Sequence, residues 1–334
     1  FYGVFFAIGL LGAAWAFPVY FERWGYPRKH GERLTLWTPL GMILGAHLIH
    51  LIFYETHLFT AFFTHPNAAT WGELFERLIQ IGSGLASHGG GLGAILAVIF
   101  FARKHKVDPL KYMDPSMAAA TFVIPWVRVG NFFNSEIVGR ETDLPWGIWF
   151  PRHECPQYAQ LATNEAQELC HQVVYRHPSQ VYEAILAFAM LGLAIYLQAK
   201  WRRRLRPGAI LFILLAYYFT TRFLIEYVKE YQTLTDAFPL TMGQCLSAPI
   251  VLVSLYMLFV SKKSNILKPF PEDERLAIYG PEPSAAPAGK AESKKAEPNK
   301  AASKTATSDE DAASDEPTDD GAAPKRKKRR KKKK

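Results

Sequence analysis

The chain is expected to be an all-α membrane protein with seven transmembrane helices, its N-terminus outside, its C-terminus cytoplasmic, and a small periplasmic cap. Three observations carry that expectation. Between Phe1 and Val260 the apolar residues fall in stretches of about 20, the length a helix needs to cross a bilayer. Lys and Arg collect in alternate loops, as the positive-inside rule requires. From Lys262 onward the chain is almost all Ala, Pro, Lys, Glu, Asp, Ser and Thr, with no apolar periodicity. The 49% hydrophobic content and near-zero mean hydropathy therefore average two different halves.

The first span is expected over Tyr2–Tyr20; Phe1 already opens an apolar run without a basic n-region, so Phe1–Phe17 reads as a span and not a signal peptide. A few residues are expected to precede Phe1. Arg23, Arg28, Lys29 and Arg33 follow this span. The second span covers Leu36–Tyr54 and the third Gly84–Ala102, with Arg103, Lys104, Lys106 and Lys111 after it. The fourth, Asp114–Phe133, is the weakest, because Pro125, Arg128 and Asn131 interrupt it. Residues 134–178 form the longest outer loop, rich in aromatic and polar side chains including Trp146, Trp149 and Tyr158, and are expected to fold as the cap. Cys155 and Cys170 lie in that loop on the oxidising side, which leaves a disulfide or two free thiols as the alternatives. The fifth, sixth and seventh spans are expected over Ser179–Ala199, Gly208–Val228 and Leu240–Val260. Lys200, Arg202, Arg203, Arg204 and Arg206 follow the fifth, and Lys262 and Lys263 the seventh. Cys245 in the last span reads as a packing residue.

Residues 1–261 thus read as one transmembrane domain, and residues 262–334 as a disordered, charged cytoplasmic tail. The tail carries an acidic block, Asp309–Asp320, then ten consecutive basic residues, Lys325–Lys334. Those basic residues suit weak contact with anionic headgroups, worth about 1 kcal/mol each near the surface. The net charge of +9 reflects this run and the cytoplasmic loops, so nucleic acid is not an expected partner.

Ionisable residues are expensive inside a bilayer, which makes them functional candidates. Four clusters stand out. The run Ser87-His88-Gly89-Gly90-Gly91-Leu92-Gly93 opens the third span. Its glycines allow close approach of a backbone or a headgroup, and His88 suits a general base or a headgroup ligand; the alternative is helix packing with a hydrogen-bonded histidine. Arg128, Asn131, Asn134, Glu136, Gly139 and Arg140 gather around the outer end of the fourth span. A guanidinium there is a natural clamp for a phosphodiester, with the Asn and Glu groups orienting it or binding glycerol hydroxyls; the alternative is an interfacial pair of Arg128 or Arg140 with Glu136. Arg176-His177-Pro178-Ser179 enters the fifth span, with Glu183 one turn on. Capping accounts for much of this, and His177 and Glu183 are candidates for the cavity. Arg222 and Glu226 stand at i and i+4 in the sixth span, an opposite-charge pair on one helix face.

Over nearly all of Phe1–Val260 these motifs resemble the bacterial prolipoprotein diacylglyceryl transferase family. The family signature is matched in register by Arg128, Gly130, Asn131, Phe132, Asn134, Glu136 and Gly139, with Val127 where the family has Gly. His88-Gly89-Gly90, His177 to Glu183, Arg222 with Glu226, Thr241 to Gln244, and Tyr2-Gly3 fall on further family motifs. One departure is clear: Ala46-His47, then His50, stand where the family has Gly-Arg and Tyr, making His47 and His50 possible headgroup contacts. The resemblance implies transfer of the diacylglyceryl group from phosphatidylglycerol to the lipobox cysteine thiol of prolipoprotein signal peptides. It implies a multi-pass protein of the bacterial inner membrane. By this resemblance His88, Arg128 and Arg222 act in catalysis, and Tyr2, Arg128, Asn131, Asn134, Glu136, Gly139, His177, Glu183 and Glu226 hold the lipid. No metal-ligand cluster is visible, and this chemistry needs no cofactor. The competing readings are a divergent or non-catalytic paralogue that binds anionic lipid, and a transporter. The transporter is disfavoured because no internal repeat is visible and the charges sit toward the outer leaflet.

Overall fold

The computed structural model describes residues 1–64, 67–80, 86–155, 173–230 and 240–281, and these are mostly helical. Among the described residues, five helical stretches are long and apolar enough to cross a bilayer: Tyr2–Arg23, Arg28–Phe53, Ser179–Lys200, Ala209–Val228 and Met242–Phe259. Helix α1 (Tyr2–Arg23) turns its small residues inward. Gly9 faces the backbone of Val123, and Gly12 the ring of Phe122.

Helix α2 (Arg28–Tyr54) is followed by two shorter helices, α3 (Thr56–Thr64) and α4 (Ala68–Ile79), the latter opened by an Asn67 capping box. Helix α5 (Ser87–Lys104) lies directly against α2. A Cβ on Gly89 or Gly93 would collide with the carbonyl oxygens of Gly45 or Gly41. These two glycines therefore serve helix packing, while Gly91 meets nothing within 4 Å.

The expected fourth span is not one helix. It divides into α6 (Pro109–Ala120) and α7 (Ile124–Asn134). Pro125 lacks the N–H that would bond the Thr121 carbonyl, and its ring crowds that carbonyl. The Thr121 hydroxyl instead donates to the Ala118 carbonyl at 2.7 Å. Within residues 134–178, β1 (Ile148–Trp149) pairs antiparallel with β2 (Tyr175–Arg176), a small exception to the all-α expectation, and α8 (Pro151–Glu154) follows β1. Arg176 pairs with Glu154 and, at 3.7 Å, with Glu141 of this segment, and joins it to Glu230 at 3.4 Å. Burial disfavours its charge, but the hydrogen bond and charge of Glu154, joined by Glu230 and Glu141, raise its pKa above the ordinary value.

Helix α9 (Ser179–Lys200) starts where expected, but Ser179 does not cap it; its hydroxyl donates to the Ile137 carbonyl at 2.8 Å. Helix α10 (Ala209–Ile225) is capped from a neighbouring helix, because the Asp114 carboxylate accepts from the amides of Gly208 and Leu211, both at 2.8 Å. A 3₁₀ turn, Glu226–Val228, extends it, and α11 (Met242–Phe259) opens with a Thr241–Gln244 capping box.

Residues 262–281 depart from the expected disorder. They fold back on the bundle and form α12 (Glu272–Tyr279). Arg203 donates to the carbonyls of Tyr279, Gly280 and Pro281, and the Tyr279 ring lies 5.8 Å from that of Trp24. Arg206 grips both carboxylate oxygens of Glu274. The composition shift at Lys262 hid these anchors, which act one at a time and leave no periodic pattern. The rest of the expected tail, residues 282–334, lies outside the described residues.

The loops rich in Lys and Arg meet at one end of the bundle. There Trp24 donates to Gln198 at 2.6 Å, His30 and Tyr112 hydrogen-bond at 2.6 Å, and Arg202 reaches the Arg23 carbonyl. Phe21, Trp24, Leu34, Tyr112, Met190 and Ile210 form a fully buried core. Outward faces are apolar as well: Leu11, Leu36 and Leu252 are each about 70% exposed.

Candidate active site

The last turns of α7 build the first half of the site. Arg128 and Asn131 are three residues apart, on one helix face, and the Arg128 guanidinium reaches the Asn131 side-chain oxygen at 3.5 Å. Ser135 ends the helix in the left-handed conformation, and Ile137 is left-handed too, at φ 58°. That conformation is rare for a β-branched residue, and it requires the surroundings to hold it. They do. Gln180 donates to the Glu136 carbonyl at 2.6 Å and Ser179 to the Ile137 carbonyl at 2.8 Å, so the first turn of α9 fixes the Glu136–Ile137 turn. Glu136 is thereby aimed back at α7, where Asn131 and Asn134 donate to its two oxygens at 2.9 and 3.1 Å. The interfacial Arg–Glu136 pair allowed by the sequence is not what forms; Arg140 donates to the Lys229 carbonyl at 2.9 Å. Tyr2, at the start of α1, lays its ring against Gly130, where a Cβ would stand 2.7 Å away.

The second half joins α7, α9 and α10 through charge. Glu183 is 3.2 Å from Arg128 and 3.4 Å from Lys229; Lys229 is 3.2 Å from Glu226; Glu226 is 3.9 Å from Arg222. Glu183, Lys229 and Glu226 are all buried. Thr241, at the cap of α11, donates to the other Glu226 oxygen at 3.0 Å, and Gly243 leaves the room that carboxylate occupies. Arg128 and Arg222 line one cavity with Glu183, Thr221, Tyr217 and Tyr218, and its remaining walls are apolar. Two guanidinium groups and hydroxyls in an apolar cleft can hold a phosphodiester while excluding water from it.

Gly139 supports this arrangement from the backbone. It bridges to Lys229 and bonds the His177 carbonyl at 3.0 Å, and a Cβ there would stand 2.5 Å from His177 and 2.7 Å from the Val228 carbonyl. His177 itself contacts the Tyr182 hydroxyl at 3.3 Å. His88 belongs to the first turn of α5, beside α2, and its side chain lies outside the described residues. His47 and His50 do not line the arginine cavity. His47 is buried and donates to the Arg77 carbonyl at 3.1 Å, while His50 lies 3.5 Å from Glu55, which pairs with Arg77 at 3.0 Å. They join α2 to α4. Cys170 lies outside the described residues, and with it the disulfide considered with Cys155.

Lys229 escaped the sequence reading, although its spacing of three from Glu226 is a helix-pair signal. Capping, which the sequence offers for the Pro178–Ser179 helix start, does not account for Ser179, and Gln180, Thr241 and Gly243 belong to motifs without an assigned role; each acts on a partner distant in sequence.

The family model for prolipoprotein diacylglyceryl transferase matches residues 1–260. A phosphatidylglycerol–prolipoprotein diacylglyceryl transferase of Tolumonas auensis is 31% identical over 79% of this chain and 92% of its own length. Proteins of the same name from Chloroherpeton thalassium and Cereibacter sphaeroides are 32% and 36% identical, over 80% and 70% of this chain and 90% and 78% of their own. The matched region contains every residue of the arginine cavity and its carboxylate partners, and the chain belongs to the prolipoprotein diacylglyceryl transferase family.

Proposed function

We propose that this protein transfers the diacylglyceryl group of phosphatidylglycerol to the lipobox cysteine thiol of prolipoproteins. It does so as a seven-span protein of the bacterial inner membrane, with its N-terminus outside and its C-terminus in the cytoplasm. The observation that carries the reading is that Arg128 and Arg222, from different helices, line a single cavity. The motif matches and the names of the relatives support it.

In this mechanism the cysteine sulfur attacks the glyceryl carbon bonded to the phosphate oxygen. A C–S thioether bond forms, the C–O bond breaks with its electron pair on oxygen, and glycerol phosphate leaves. The negative charge that grows on the leaving phosphate meets two guanidinium groups, the type of fixed electrostatic stabilisation that does most to lower such barriers. Asn131, Asn134 and Glu136 hold the glycerol end, Tyr2 and Gly139 shape its surroundings, and Glu183, Glu226 and His177 fix the cations and the wall behind them. His88 has two open roles, taking the thiol proton or orienting the headgroup. The gathering of the basic loops at one end of the bundle supports the orientation, with the arginine cavity toward the outer leaflet.

The test is transfer by purified protein in detergent, given phosphatidylglycerol and a lipobox peptide, read as a mass gain of one diacylglyceryl group. Wild-type protein is expected to be active, and Arg222→Ala to lose turnover by at least ~100-fold while unfolding at the same temperature. An active Arg222→Ala protein removes that residue from the mechanism. A folded wild-type protein that cannot replace the native transferase in a depleted bacterium favours a non-catalytic paralogue.

A further inference from the structure

The chain of charges through the site contains more cations than its phosphate-binding role strictly needs. Arg128 and Arg222 face the cavity, but Lys229 sits behind it, buried, between Glu183 at 3.4 Å and Glu226 at 3.2 Å. Without Lys229, Glu183 would belong to Arg128 alone and Glu226 to Arg222 alone, giving two neutral pairs with little pull on an anion. With it, three cations share two carboxylates. Glu226 shows the effect directly: one oxygen lies 3.2 Å from Lys229, the other accepts from Thr241 at 3.0 Å, and Arg222 is left at 3.9 Å, the longest contact in the chain. Of the neighbouring carboxylates, Glu136 accepts from two asparagine amides and Glu230 pairs with Arg176, and neither makes a direct ion pair with Arg128 or Arg222. The backbone of Lys229 is also fixed, bridged to Gly139 and accepting from Arg140, so the side chain starts from a rigid point.

We infer that Lys229 is a positioning and specificity-determining residue: it shares Glu183 with Arg128 and holds Glu226 closer than Arg222 does, so the cavity keeps one positive charge in excess and selects a lipid with an anionic phosphodiester headgroup over a zwitterionic one. This rests on the diacylglyceryl transfer reading. A zwitterionic headgroup carries its own ammonium, which the excess charge repels, whereas a phosphoglycerol headgroup brings one negative charge and hydroxyls. Lys229 touches no reacting atom in this account.

The test compares Lys229→Met and Lys229→Arg with wild type in mixed micelles, measuring KM for phosphatidylglycerol, kcat and the unfolding temperature. Native mass spectrometry of each protein with equal phosphatidylglycerol and phosphatidylcholine reads headgroup preference. Lys229→Met is expected to raise KM by ~10-fold or more and to lose the preference for phosphatidylglycerol, and Lys229→Arg to stay within ~3-fold of wild type. A folded Lys229→Met protein with unchanged KM and preference overturns the inference, as does equal impairment of both variants. Should Lys229→Met not accumulate, the charge-balanced double variant Lys229→Met/Glu226→Gln carries the test: it is expected to keep the preference for phosphatidylglycerol, and losing it overturns the inference. A wild-type protein that neither binds nor consumes phosphatidylglycerol overturns the functional reading itself.

Discussion

At the scale of single residues, the site rests on small side chains as much as on charged ones. Gly139 has no room for a methyl group between His177 and the Val228 carbonyl, and the segment it would push away carries Lys229. Gly139→Ala is therefore expected to cost about 1–3 kcal/mol in stability, as overpacking does. It should lower turnover by ~10-fold or more, because a shift near 1 Å in a catalytic constellation is that costly. Thermal unfolding and the transfer assay check both; an unchanged protein would remove Gly139 from the support of Lys229. The cluster of Arg128, Asn131, Asn134 and Glu136 was legible in the sequence, since its bonded members are two to five residues apart and meet across one helix end. Lys229 was not, because its meaning comes from Glu183, 46 residues earlier. The role of Ser179 was hidden for the same reason: serine at a helix start normally suggests capping, but here its hydroxyl goes to Ile137.

At the scale of elements, close helix approach and end-capping contacts decide the outcome. The sequence left the glycines of α5 open between ligand approach and helix packing, and Gly89 and Gly93 meet α2 backbone. Gly93→Ala is expected to lower stability by about 1–3 kcal/mol, whereas Gly91→Ala, with nothing within 4 Å, should not lower it. Equal unfolding temperatures for the two would contradict this contact. The break between α6 and α7 was half legible: Pro125 marked the span as weak, but its apolar content still read as a single crossing. Helix α12 was illegible, because isolated anchors such as Tyr279 and Glu274 replace a continuous apolar face. Its hold has a pH signature. The hydrogen bond from Arg206 lowers the Glu274 pKa below its ordinary value. A lowered carboxyl pKa contributes stability that is full above the unfolded value of about 4.3 and lost as pH falls through the folded value. Amide-exchange protection of residues 272–279 should thus persist at pH 5 and fade only in stronger acid; fading between pH 7 and 5 would contradict the Arg206–Glu274 contact.

At the scale of the whole molecule, apolar outward faces and an apolar core accompany a buried polar seam. Leu11, Leu36 and Leu252 are exposed on the outside of the bundle, while five charged groups, Arg128, Glu183, Lys229, Glu226 and Arg222, form a seam drawn from α7, α9, α10 and the turn after it. The apolar stretches and basic loops made the membrane class legible, because bilayer thickness imposes a length on each crossing. The order of helices around the seam was not, because it depends on which faces meet and not on hydropathy. The proposed function requires both arginines to act on one lipid. A structure of the protein in phosphatidylglycerol nanodiscs tests that most directly. One headgroup phosphate is expected within about 3 Å of both the Arg128 and Arg222 guanidinium groups. A phosphate held by only one of them, or a lipid seated away from their shared cavity, would contradict it.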